Sequence, residues 1–156
     1  MASVGIFRRY VIGIDPGVTT GVALYDREAR RVVSVSTHTF WTCFDMIVRQ
    51  QPLKDHFEVV VEQPVKTAMY AKQEPKAVGK AKGYGNRMMA NAASNAREAE
   101  LLADGLERLG YKVTRVRPIS TKAKWNAEEC IERSGFTGRT NAHTRDAIQL
   151  CQRLAD

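Results

Sequence analysis

The sequence predicts an α/β domain built on a five-stranded mixed sheet, three strands antiparallel and two parallel, flanked by helices. Three observations predict it. Residues 8–39 hold three β-type runs joined by short polar turns, which makes them antiparallel neighbours in a meander. A later run, Phe57 to Val61 (FEVVV), is continuously apolar, as strands buried on both faces of a parallel sheet are. The second half carries apolar residues at helical spacing over residues 88–109 and again from about Asn141 to the end.

The elements follow in order. Arg8 to Asp15 is the first strand, Gly21 to Asp26 the second, with Val22 and Leu24 on one face, and Arg31 to Thr39 the third. In residues 41–52, Phe44, Ile47 and Val48 fall at i, i+3 and i+4, a short helix with Pro52 as its stop. FEVVV is the fourth strand. Residues 65–87 carry Lys66, Lys72, Lys76, Lys80, Lys82 and Arg87 against the single acid Glu74, with Gly79, Gly83 and Gly85 and the aromatics Tyr70 and Tyr84 between them. This reads as a long basic loop, and loops of that length in compact domains are functional or disordered. Met88 to Leu109 is the longest helix. Its first half is Ala-rich, which permits close approach by its own sheet or by a second subunit. Tyr111 to Arg117 is the fifth strand, Thr121 to Ser134 a helix with Ala127, Ile131 and Trp125 inward, and Gly135 to Arg139 a turn. The last helix starts at Asn141, a good N-cap. Its inward stripe is His143, Asp146, Ala147, Leu150, Cys151 and Leu154.

The 156 residues suit a single domain with a full core. Hydrophobic content of 44% and charged content of 26% are those of a globular protein. No apolar run reaches the roughly 20 residues of a membrane span, and the N-terminus lacks a signal-peptide pattern. Cys43, Cys130 and Cys151 are odd in number, far apart and without a CxxC pair, so they read as buried, reduced thiols. A cytoplasmic protein is expected. The net charge of +7 points to a polyanionic partner, nucleic acid first. A second basic stretch, Arg108, Lys112, Arg115, Arg117, Lys122 and Lys124, has no acid among its members.

Two apolar strands end in an acid and then break: IGID before Pro16-Gly17, and VVVE before Gln63-Pro64. An ionised carboxylate at the end of a buried strand is costly unless something pairs with it. Were the two strands parallel neighbours, about 4.8 Å apart, Asp15 and Glu62 would stand side by side and repel unless they shared a proton or a cation. The alternative is a pair of solvated strand-end acids. His143 and Asp146 add ionisable groups to the core-facing stripe of the last helix. Hard oxygen ligands suit Mg²⁺, and the imidazole admits Mn²⁺. Two such ions about 4 Å apart clamp the attacking and leaving oxygens of an in-line phosphoryl displacement.

IDPGVTTG, VVVEQP and NAHTRDAIQL, in that order, resemble the RuvC family of Holliday-junction resolvases, within the ribonuclease-H-like superfamily. The resemblance covers nearly the whole chain, with divergent loops that look phage-type. It implies that Asp15, Glu62 and Asp146 bind two catalytic Mg²⁺ ions, with Mn²⁺ as a substitute. His143 stands where the family often has Asp, so its role as ligand or general acid/base is open. The resemblance also implies a homodimer that resolves four-way junctions by paired symmetric nicks, with the long helix near the interface. Candidate DNA contacts are Lys66, Tyr70, Lys72, Lys76, Lys80, Lys82, Arg87, Arg117, Lys122 and Lys124. Two alternatives stand beside this reading: a nuclease of the same fold acting on RNA or RNA–DNA hybrid, and a non-catalytic protein that binds branched DNA. DPGVTTG also resembles the first phosphate loop of actin-like ATPases, but those need two such domains and a longer chain.

Overall fold

The computed structural model describes residues 5–64 and 80–156; for residues 80–92 it describes the backbone alone. Strands β1 (Tyr10–Asp15), β2 (Thr20–Asp26), β3 (Arg31–His38), β4 (Phe57–Glu62) and β5 (Lys112–Val116) form one sheet in the order β3-β2-β1-β4-β5. β1–β2 and β2–β3 pair antiparallel; β1–β4 and β4–β5 pair parallel. The expected mixed sheet is therefore the one observed. Helices α1 (Phe40–Val48) and α2 (Lys80–Arg108) cover one face, and α3 (Ala127–Ser134) and α4 (Ala142–Ala155) the other.

Strand alternation divides the core in two. Ile12, Ile14, Val22, Val59 and Val61 face α1 and α2, where Cys43, Ile47, Leu102 and Leu106 complete one cluster. Val11, Ala23, Tyr25 and Val60 face Ala147, Ile148, Leu150 and Cys151 of α4. The three cysteines are buried and unpaired, as expected. Ala99 and Ala103 pack against the chain's own sheet, and Ala96 is buried.

Several boundaries differ from expectation for local reasons. Lys80, Lys82 and Arg87, expected in a loop, lie on the first turns of α2. Helix formation is cooperative and carries Gly83 and Gly85 at about 1 kcal/mol each. Thr39 leaves β3 to cap α1, accepting from the Thr42 N–H. α1 ends at Val48, and Pro52, expected to stop that helix, opens a 3₁₀ turn, Gln51–His56. The expected helix over residues 121–134 is split. A 3₁₀ turn, Thr121–Ala123, leads to an extended Lys124, and α3 begins only after Asn126, which forms a capping box with Glu129. That shift rotates Ile131 outward, to 48% exposure, while Trp125 packs on the second core.

Candidate metal centre

β1 and β4 run parallel in a register that pairs Ile14 with Val61. One residue further, Asp15 and Glu62 leave the sheet side by side, on the face covered by α4. The first turn of α4 is held by a second capping box: the Asn141 side chain accepts from the Thr144 N–H at 3.0 Å, and the Asn141 N–H donates to Thr144 Oγ1 at 2.9 Å. This fixes the turn that carries His143 and Asp146.

The helix reaches the strands because two positions there lack a side chain. A Cβ on Gly13 would lie 2.3 Å from the Ala147 carbonyl oxygen, and one on Gly21 2.3 Å from that of His143. No other residue permits α4 to lie so close on β1 and β2. The result brings one carboxylate oxygen from each of Asp15, Glu62 and Asp146 within 4.8 Å of one another. All three are buried, with 7%, 7% and 4% exposure.

His143 stands at the rim. Its side chain is 47% exposed, and Nδ1 is hydrogen-bonded with Asp15 Oδ2 at 3.0 Å. It contacts one carboxylate and does not join the set of three. The expected core-facing stripe therefore holds for Asp146, Ala147, Leu150 and Cys151, while His143 opens to solvent.

Burial dominates the electrostatics. It pushes the Glu62 carboxyl up to about 7, with the charge of Asp15 adding to the effect. Burial also raises Asp15, against the lowering bond from His143. Two effects oppose this, one an ammonium and one a backbone N–H. The Ile119 N–H donates to Glu62. Lys124 Nζ lies 2.5 Å from Asp146 Oδ2 and is the ammonium nearest the cluster among the described residues. Burial alone would lower the Lys124 ammonium's pKa; the bond to Asp146 and the charges of Glu62 and Asp15 outweigh it and raise it. Sequence reasoning placed Lys124 among the DNA contacts; here it sits on a carboxylate. Its extended backbone, between the 3₁₀ turn and the α3 cap, aims it there.

The donor set fits a hard divalent cation. Among the described residues three carboxylates face a single ammonium, and Glu62 Oε2 is buried with no hydrogen-bond partner. An orphaned buried carboxylate oxygen costs free energy unless a ligand meets it.

The second basic stretch is less open than its composition suggests. Lys112 pairs with Glu58 at 2.9 Å, and Arg115 with Asp104 at 2.6 Å and with Glu107. Arg117 and Lys122 are exposed, with no ion pair among the described residues. Lys66, Tyr70, Lys72 and Lys76 lie outside the described residues, as do the side chains of Lys80, Lys82 and Arg87. Among the described residues no helix is long and apolar enough to cross a membrane.

Fold and site together define a class: an α/β protein on a five-stranded mixed sheet, with carboxylates gathered at the carboxyl ends of β1 and β4 and on the first turns of α4. No family model matches the chain, and no curated protein does. Among solved structures it is similar to the crystal structure of the large terminase nuclease from thermophilic phage G20c, at 14% identity and a TM-score of 0.34, over 92% of this chain and 81% of that one.

Proposed function

We propose that this chain is a metal-dependent nuclease that hydrolyses phosphodiesters in branched DNA, four-way junctions first, acting as a homodimer. One observation carries the reading: three carboxylates from β1, β4 and α4 meet within 4.8 Å, and one oxygen of Glu62 is buried without a hydrogen-bond partner. Asp15, Glu62 and Asp146 would hold one or two Mg²⁺ ions. When bound, these supply an activated water and charge stabilisation at the leaving oxygen. Asp15, central in the sheet, touches both other acids' surroundings and takes the hydrogen bond of His143. That contact orients Asp15 and leaves Nε2 of the half-exposed ring toward the rim of the site. The choice of DNA over RNA, the paired nicks and the dimer rest on the resemblance of the three motifs. Arg117 and Lys122, with the cations of residues 66–87, would meet phosphates.

The pairing of Lys124 with Asp146 favours a second reading. A cluster balanced internally by an ammonium would serve a protein that binds branched DNA without cutting it.

A labelled immobile four-way junction, assayed beside duplex, flap and RNA–DNA hybrid with Mg²⁺ and with EDTA, separates the two. Paired nicks confined to the junction and lost in EDTA are expected. Asp15→Asn should lower the rate by about a thousandfold or more, since several kcal/mol of metal-mediated stabilisation goes with it, while junction binding stays intact. Cleavage of hybrid or RNA alone would overturn the substrate; tight binding with no cleavage would establish the second reading.

A further inference from the structure

Beside the carboxylates, on the α4 side, lies a groove of about 480 Å³ whose walls include Lys122, Lys124, Trp125, Arg133, Gln149 and Arg153. It starts at Lys124, which pairs with Asp146, and follows α4 for about 15 Å, as the 1.5 Å rise per residue requires to reach Asp156. None of the three clustered carboxylates lines it.

Its walls are chemically specific. Trp125 is half-buried, anchored by its place on the second core, and Arg133 lies over its ring at 5.8 Å from the centroid. Lys122, Arg133 and Arg153 are exposed, and among the described residues none has a carboxylate partner. Two acids share the rim: Glu129, which accepts from the Asn126 N–H at 2.9 Å, and the exposed Asp156 at the far end, against the four cations Lys122, Lys124, Arg133 and Arg153. Gln149 is 6% exposed. Its Nε2 donates to the Ala123 carbonyl at 2.8 Å, which fixes the amide and leaves Oε1 buried with no donor. The groove thus sets unpaired cations beside a tryptophan whose ring lies under the Arg133 guanidinium, with the fixed Gln149 amide buried behind them. Volumes of 300–1,000 Å³ hold small organic ligands. A flat aromatic suits a base once the guanidinium over it turns to a phosphate, and guanidinium and ammonium groups suit phosphate.

We infer that this groove binds an unpaired nucleotide of the substrate strand next to the scissile phosphate, its base against Trp125 and its phosphate on Arg133 and Arg153. The inference deepens the proposed function and rests on it for the identity of the strand. The groove would hold a strand that has left the duplex, because a stacked and paired base cannot present its face to Trp125.

Trp125 supplies the test. The chain has two tryptophans, and the other, Trp41, is 70% exposed. In a Trp41→Phe background the emission belongs to Trp125. A single-stranded oligodeoxynucleotide of about eight residues, within the site sizes of single-strand grooves, is titrated in EDTA. Saturable quenching is expected. Arg133→Ala and Arg153→Ala, read by anisotropy of a labelled oligonucleotide, should each weaken binding about tenfold at low salt. Each should also flatten the salt slope by about 0.7, with an unchanged melting temperature.

No quenching, or binding and slope unaltered in both variants, would overturn the groove. Equal quenching by inorganic phosphate would reduce it to an anion site and overturn the nucleotide assignment. Junction cleavage measured in parallel keeps the two proposals apart. Cleavage without Trp125 quenching refutes the groove and leaves the nuclease; quenching without cleavage of any substrate refutes the nuclease and leaves the groove.

Discussion

Glu62 makes the metal-free protein sensitive to pH. Its carboxyl titrates near 7 in the fold and at about 4.5 in the unfolded chain. Between those values the fold holds a proton that the unfolded chain has given up, so stability falls as pH rises from about 4.5 through about 7. Asp15, also raised, acts in the same direction. The melting temperature measured in EDTA should therefore drop over that window, and Glu62→Gln should flatten the drop. An unchanged profile in the variant would show that another group carries it. Lys124 supports a related prediction. Its ammonium offsets part of the cluster's charge, so Lys124→Met should lower the melting temperature in EDTA at pH 8 and enlarge the rise on adding Mg²⁺. A Mg²⁺ response no larger than wild type would mean that Lys124 does not compete with a cation. Asp15 and Glu62 were legible in the sequence because each ends an apolar strand, and Asp146 because it falls on the core-facing stripe of the last helix. Lys124 was not, because only the break between the 3₁₀ turn and α3 aims it at Asp146.

Among the elements, α4 decides whether the site exists. Its first turn depends on the Asn141–Thr144 box, and its approach depends on Gly13 and Gly21. Gly13→Ala should cost about 1–3 kcal/mol by overpacking, and more if the helix backbone cannot yield. It should also blunt the Mg²⁺-induced rise in melting temperature, because Asp146 moves with the helix. A stable variant with a full Mg²⁺ response would show that α4 can shift without opening the cluster. Asn141→Ala should cost about 1 kcal/mol through the lost cap alone. The strand order and helix stripe could be read from period and turn length. The two glycines could not: a glycine within a strand pattern does not reveal what lies against it. Nor could the exposure of His143, since a stripe on a helical wheel does not show where the covering sheet ends. Pro52 misled for a similar reason, because a proline that ends one helix serves equally at the first turn of the next.

Across the whole molecule, a net charge of +7 is less informative than its pairing. Arg115 is tied to Asp104 and Glu107, and Lys112 to Glu58, whereas Arg117 and Lys122 are open. The double variant Arg117→Ala, Lys122→Ala should reduce the slope of log K against log salt for duplex-arm binding by about 2. Arg115→Ala should leave that slope in place; equal slopes for the two variants would remove Arg117 and Lys122 from the interface. The paired residues explain why a basic run in the sequence overstated the open surface: the acids that cancel it come from α2 and β4. The two faces of the sheet also differ in kind. The α4 face combines the second core with the carboxylates, and Ala147, Ile148, Leu150 and Cys151 follow Asp146 directly into that core. α4 therefore cannot lift from β1 without exposing half the interior. Amide hydrogens from Asp146 to Cys151 should exchange with deuterium only when the whole domain opens, at the slowest rate the protein shows. A centre anchored in this way lasts as long as the native state, with no local fraying by which it could come apart first.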